Sequence, residues 1–197
     1  VRESPAGRYS DTGCRLVSSG RRARGAGSYD ASMRALVFVG GWAHPAEQTG
    51  PPTSDALASL GVASDVVDSF AGSTAGLQRE GVDLLVVHTC RFQMLDARYT
   101  PEQREAYGSA TPVEFRDAVV AHLSGGRPML ALHTAALCFD DWPAWSNLAG
   151  TTWNWERSNH PPPGPFTVTP GADPVVAGMR EFDVVDAGML ASEDGGD

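Results

Sequence analysis

Gly125-Gly126-Arg127-Pro128-Met129-Leu130-Ala131-Leu132-His133-Thr134-Ala135-Ala136 is the stretch that decides the fold. Its glycine pair stops a helix, because glycine takes the left-handed conformation without a Cβ clash. An apolar run follows, and His133 stands where that run gives way to small residues. The pattern is a buried strand that delivers one polar side chain to a turn. In an open parallel sheet, ligands bind beyond the carboxyl ends of the strands.

Upstream, Thr111-Pro112-Val113-Glu114 carries the marks of a helix start. Threonine can cap, proline suits the first helical position and glutamate at the third closes a capping box. Phe115, Ala118, Val119 and Leu123 then mark one apolar face, with His122 on its border. Further back, Ala35–Gly41 and Val82–His88 are apolar runs ending in a glycine turn and a histidine, and Val62–Asp68 is a shorter strand candidate. Thr53 or Ser54 is placed to cap a helix through Leu57 and Leu60 that Gly61 closes. Ser73, Thr74 and Leu77 lie in a second helical segment, and Thr100-Pro101 opens a third. Strands alternating with helices predict parallel βαβ units.

Downstream the texture changes. Residues 139–165 hold Phe139, Trp142, Trp145, Trp153 and Trp155 among several prolines, with one helix expected around Trp142 to Leu148. Phe166–Thr169 and Phe182–Val185 read as strands, and Asp173-Pro174 as a short helical turn. Ala187–Asp197 is acidic and is expected to fray.

The bulk properties narrow the function classes. The chain has 197 residues, enough for one full core, with 42% hydrophobic and 20% charged residues. No apolar run is long enough to cross a bilayer. A net charge of −9 argues against a nucleic-acid surface. Cys14, Cys90 and Cys138 are a sparse, odd set without a C-x-x-C, as expected for reduced thiols in a cytoplasmic protein. Residues 1–32 are rich in Gly, Ser and Arg, show no periodicity and carry a net +3 from six Arg and three acids. They are expected to be a disordered extension outside the fold, which then occupies residues 33–197.

Three histidines follow three predicted strands: His44, His88 and His133. Right-handed crossovers put the ends of parallel strands on one edge, so at least two of the three are expected to line one pocket. Imidazole titrates near neutrality and suits acid–base work or ligand binding. With His160 and Asp140 or Glu156 the set offers nitrogen and oxygen donors, so a divalent metal is conceivable, although no ligand pair has local metal spacing. Nucleophilic catalysis is poorly served, since Cys138 is five residues past His133 and Cys90 lacks a third partner. Trp142 and Trp145 read as packing residues. Trp42, Trp153 and Trp155 read equally as packing or as a platform for a flat ligand face. Gly40-Gly41 lacks the spacing of a phosphate loop, which disfavours nucleotides.

These residues resemble the ThuA-like (trehalose utilisation) family. The resemblance rests on the glycine-pair strand with Leu132-His133-Thr134-Ala135, then Trp142-Pro143-x-Trp145, Leu148-Ala149-Gly150, His160-Pro161, Phe166-Thr167-Val168 and Asp173-Pro174-x-x-Ala177-Gly178-Met179. It spans most of residues 35–186. It implies a flavodoxin-like three-layer α/β sandwich with a mainly parallel sheet, related to class I glutamine amidotransferases, in which His133 takes the place of the thiol nucleophile. It implies a role in sugar or disaccharide utilisation. On this reading His133 and His88 are the catalytic candidates, and His44, Trp42, Trp153 and His160 the substrate-binding ones. The expected partner is a small sugar or sugar derivative, with neither nucleic acid nor membrane involved. The family's D-E-x-Y segment is replaced here by Asp186-Ala187-Gly188-Met189, and the family domain continues further, so a truncated C-terminus is expected. The sheet edge this would leave favours homo-oligomers. A non-catalytic partner or sensor module on the same scaffold, and a cysteine-dependent hydrolase, are the alternatives.

Overall fold

The computed structural model describes residues 33–188 and the two-residue strand Glu193–Asp194. The expected N-terminal extension and most of the acidic tail lie outside the described residues. Strands β1 (Arg34–Gly41), β2 (Ala63–Val67), β3 (Leu84–Cys90) and β4 (Met129–Ala131) form one sheet in the order β2-β1-β3-β4, every pair parallel. These are the first four positions of a flavodoxin-like order.

The side-chain alternation of the strands divides the core into two layers. Leu36, Phe38, Leu85 and Val87 pack against Leu77 of α2 (Phe70–Gln78) and Phe115 and Val119 of α4 (Val113–Ser124). Ala35, Val37, Val39 and Val86 pack against Leu57 of α1 (Ala46–Ser59). Both faces of the sheet are covered, which is why its strands read as continuous apolar runs. The three-layer α/β expectation therefore holds. Helix α3 (Pro101–Tyr107) follows β3 and begins with a complete Thr100–Gln103 capping box. After β4 come a 3-10 helix (His133–Leu137), α5 (Trp145–Ala149) and two small antiparallel pairs. One joins β5 (Thr151–Thr152) to β8 (Glu193–Asp194), and the other joins β6 (Gly164–Val168) to β7 (Phe182–Asp186).

Several local expectations need correction. Helix α1 starts at Ala46, not after Thr53, and carries Pro51 and Pro52 inside it. Thr53 is an interior residue whose hydroxyl donates to Thr49 O at 2.8 Å. The capping box expected at Thr111 does not form, and the residue flanking α4 is Pro112. Asp141 takes the Thr111 hydroxyl and backbone N–H instead, while also receiving Arg116 Nη2 at 2.8 Å. Helix α5 is shorter than expected, because Trp142 lies outside it and packs on Phe115. Of the tail expected to fray, Glu193–Asp194 is paired with β5.

Candidate functional site

The strand order reverses at β1, whose neighbours β2 and β3 lie on opposite sides. A crevice beyond the carboxyl ends of the strands is the expected result. His44 is in the loop after β1, His88 is inside β3 two residues before its end, and His133 opens the turn after β4. His133 has φ +53°, and Ala43 beside His44 has φ +55°. Left-handed backbone at a non-glycine residue is uncommon and costs about 1–3 kcal/mol. The strand-to-helix turn thus holds His133 in an elbow, anchored by Leu132 N–H to Val87 O at 2.9 Å and by the Thr134 hydroxyl to Thr89 O at 2.8 Å.

The histidines converge. His133 Nε2 and His44 Nε2 are 2.9 Å apart. The rings of His88 and His133 stand edge to face with centroids 6.3 Å apart. The neighbours decide where the hydrogens sit. His44 Nδ1 lies 2.8 Å from Trp42 O, and a carbonyl only accepts, so His44 carries its hydrogen on Nδ1. Its bare Nε2 then accepts from His133 Nε2–H. His88 Nδ1 lies 2.8 Å from the Thr53 hydroxyl, whose own hydrogen goes to Thr49 O. His88 is therefore also the Nδ1–H tautomer, with a bare Nε2.

Desolvation is the main cause that lowers the His133 pKa; His44 and His160 lower it further and Asp186 opposes them. The His88 pKa is lowered by burial first, then by His133 and His44. Both rings are consequently neutral at pH 7 and able to accept a proton. The thiols are the reverse case. Burial pushes Cys90 up to about 12, and Cys138, fully enclosed with Sγ 3.1 Å from Thr89 O, well above its ordinary value. Neither supplies a thiolate near neutrality, so a cysteine nucleophile has no support here.

A cavity of about 410 Å³ opens over the His44–His133 pair. Trp42, Trp153 and His160 line it, as three of the sequence-predicted binding residues. His88 does not; it stands behind His133, fixed by Thr53. Trp42 lies edge-on to Tyr99 and Tyr107, and Trp153 is nearly enclosed, so packing and lining are both true of these indoles. Trp155, expected to pack or to form a ligand platform, lines the cavity as well, and four wall residues were not expected there: Arg98, Tyr99, Asn159 and Asp186. The signal for Arg98 and Tyr99 was their place in the loop leaving β3, on the same edge as the histidines. Asp186 ends β7. The nitrogen–oxygen metal set is not assembled: Asp140 lines a different cavity, Glu156 is exposed, and among the described residues no three His, Cys, Asp or Glu side chains are arranged to hold a metal.

The neutral histidines have a consequence for stability. His88, His133 and the enclosed His122, lowered mainly by its burial, all bind protons less readily when folded than when unfolded. As pH falls below about 6.5 the unfolded chain takes up protons first, so stability falls until the folded pKa values are passed. Above about pH 7.5 these groups contribute no slope. Melting should therefore occur at lower temperature at pH 5.5 than at pH 7.5, and the pair of changes His88→Gln and His133→Asn should flatten the difference. An equal or higher melting temperature at pH 5.5 would contradict the assignment.

No family model and no curated protein matches the chain. One solved structure does, that of a ThuA-like protein from Bacteroides uniformis ATCC 8492, with a TM-score of 0.54 and 17% identity over 86% of this chain. The chain spans 64% of the length of that protein. At this identity the similarity establishes a shared fold, and the chain has a ThuA-like α/β architecture. No helix among the described residues is long and apolar enough to cross a membrane.

Proposed function

We propose that the histidine cavity binds a carbohydrate-derived ligand and that His133, paired with His44, is its acid–base group. The observation that carries this reading is the 2.9 Å Nε2–Nε2 contact at the base of an aromatic-walled cavity. Sugars present flat C–H faces and a rim of hydroxyls. The indoles of Trp42, Trp153 and Trp155 suit the faces, while Asn159, His160, Asp186 and Arg98 offer donors and acceptors to the rim. A neutral His133 held next to a second imidazole can take a proton from a hydroxyl and hand it on. His88 acts behind it as a positioning residue, since Thr53 fixes its ring and that ring stands edge to face with His133 at 6.3 Å. The sequence resemblance to the ThuA-like family is what points to sugar utilisation, and the raised thiol pKa values disfavour the cysteine hydrolase alternative.

Isothermal titration with a panel of mono- and disaccharides, oxidised sugars included, tests this. At least one sugar should bind, and His133→Ala should weaken it about tenfold or more, the loss of one charge-assisted or buried hydrogen bond. Heats that do not change on His133→Ala would remove His133 from the site. No binding by any sugar would leave the scaffold or sensor reading in its place.

A further inference from the structure

A second cavity, of about 340 Å³, shares Leu137, Trp153 and Trp155 with the histidine cavity and is otherwise separate from it. Trp142, Trp145 and Phe139 complete an aromatic wall. Trp142 and Trp145 are tilted by 34° with centroids 5.6 Å apart, and Trp153 and Trp155 by 70° at 6.3 Å. Its one carboxylate is Asp140, and no Arg, Lys or His lines it. Asp140 Oδ1 accepts Gln93 N–H at 2.9 Å, and no ion pair with a described cation involves it. Neighbouring Asp141 is matched by Arg116 at 2.8 Å, so the unmatched charge at this corner is that of Asp140.

We propose that this cavity binds a small organic cation of the quaternary-ammonium type. Indole faces carry negative electrostatic potential, and several of them around one carboxylate form a site for a weakly hydrated cation. The site offers no donor cation for an anionic ligand, and a neutral apolar ligand would strip water from Asp140 without replacing it. Trp155, shared by both cavities, already has a cation against its ring: the guanidinium carbon of Arg98, which lines the histidine cavity, sits 5.7 Å from its centroid. The net charge of −9 favours the approach of cations.

Four of the five tryptophans line the cavity, so indole fluorescence reports on it. The full chain is titrated with choline and with 3,3-dimethyl-1-butanol, which has the same shape and no charge. Choline should give saturable quenching and bind about tenfold more tightly than the alcohol, the scale of a desolvated cation–π contact. Asp140→Asn keeps an oxygen for Gln93 N–H and should erase that preference; Trp155→Leu should weaken choline binding. His133→Ala should leave choline binding as it is. The proposal is overturned if choline gives no saturable response, if the alcohol binds equally well, or if Asp140→Asn keeps the preference. It is also overturned if His133→Ala abolishes the signal, because the cation then sits in the histidine cavity.

Discussion

Gly41→Ala is expected to lower the melting temperature by roughly 8–16 °C, corresponding to a loss of about 4 kcal/mol or more. Gly41 ends β1 at φ +104°, a conformation that L side chains rarely adopt. A Cβ there would lie 2.2 Å from Cys90 O and 2.6 Å from Cys90 C. Those atoms are backbone of the adjacent strand, so no rotamer change relieves the overlap. The same carbonyl accepts Trp42 N–H at 2.8 Å, and parting the strands would break that bond as well. The loop carrying Trp42 and His44 would move with it, so the histidine cavity should lose the sugar binding proposed for it even in the fraction that stays folded. Gly61→Ala is the control. Its φ is +75° and nothing lies within 4 Å of the added Cβ, so only the backbone penalty of about 1 kcal/mol remains. Equal melting temperatures for the two variants would refute the steric argument.

Phe38→Ala is the second large effect, with an expected loss of about 3–5 kcal/mol in urea denaturation. Phe38 is fully enclosed at the centre of β1. Its ring meets Phe70 and Phe115 edge-on at 5.5 and 5.4 Å and stacks on Phe139 at 6.4 Å. The Arg91 guanidinium lies 5.4 Å from its centroid, while donating to Asp68 O. Truncation would therefore open a void between sheet and helices and remove one face of a largely buried cation's surroundings. Phe38→Leu should cost less than half as much, since it refills most of the volume. A loss below about 1.5 kcal/mol for Phe38→Ala would mean that the three neighbouring rings, Phe70, Phe115 and Phe139, collapse into the gap.

The parallel sheet was legible because both of its faces are buried. Ala35 to Val39 and Leu85 to Val87 have no polar alternation to confuse them with an edge strand. The convergence of His44 and His133 was legible for a topological reason: right-handed crossovers leave all strand ends on one side. Contacts set from far along the chain were not legible. The Thr111 hydroxyl could serve its own helix or Asp141, thirty residues later, and only the folded chain brings Asp141 to it. Thr53 or Ser54 was expected to cap the first helix, yet α1 begins at Ala46 and runs through Pro51 and Pro52, and its buried Leu57 face packs on the sheet regardless of propensity. Asn159 reaches the cavity from an irregular segment with no period to read, and Asp186 from the end of β7, a short strand far along the chain from the histidines.

The order β2-β1-β3-β4 also bears on how the chain is made. β1 is the innermost of the early strands, and its first partner residue on one side, Ala35 with Leu84, is 49 positions away. At synthesis rates of roughly 5–20 residues per second, that partner emerges about 2–10 s later. For that interval the run from Ala35 to Val39, with no charge among its side chains, is covered on one flank at most. The newborn chain therefore passes through a stage with an open apolar strand, when ribosome-associated chaperones would have the most to protect.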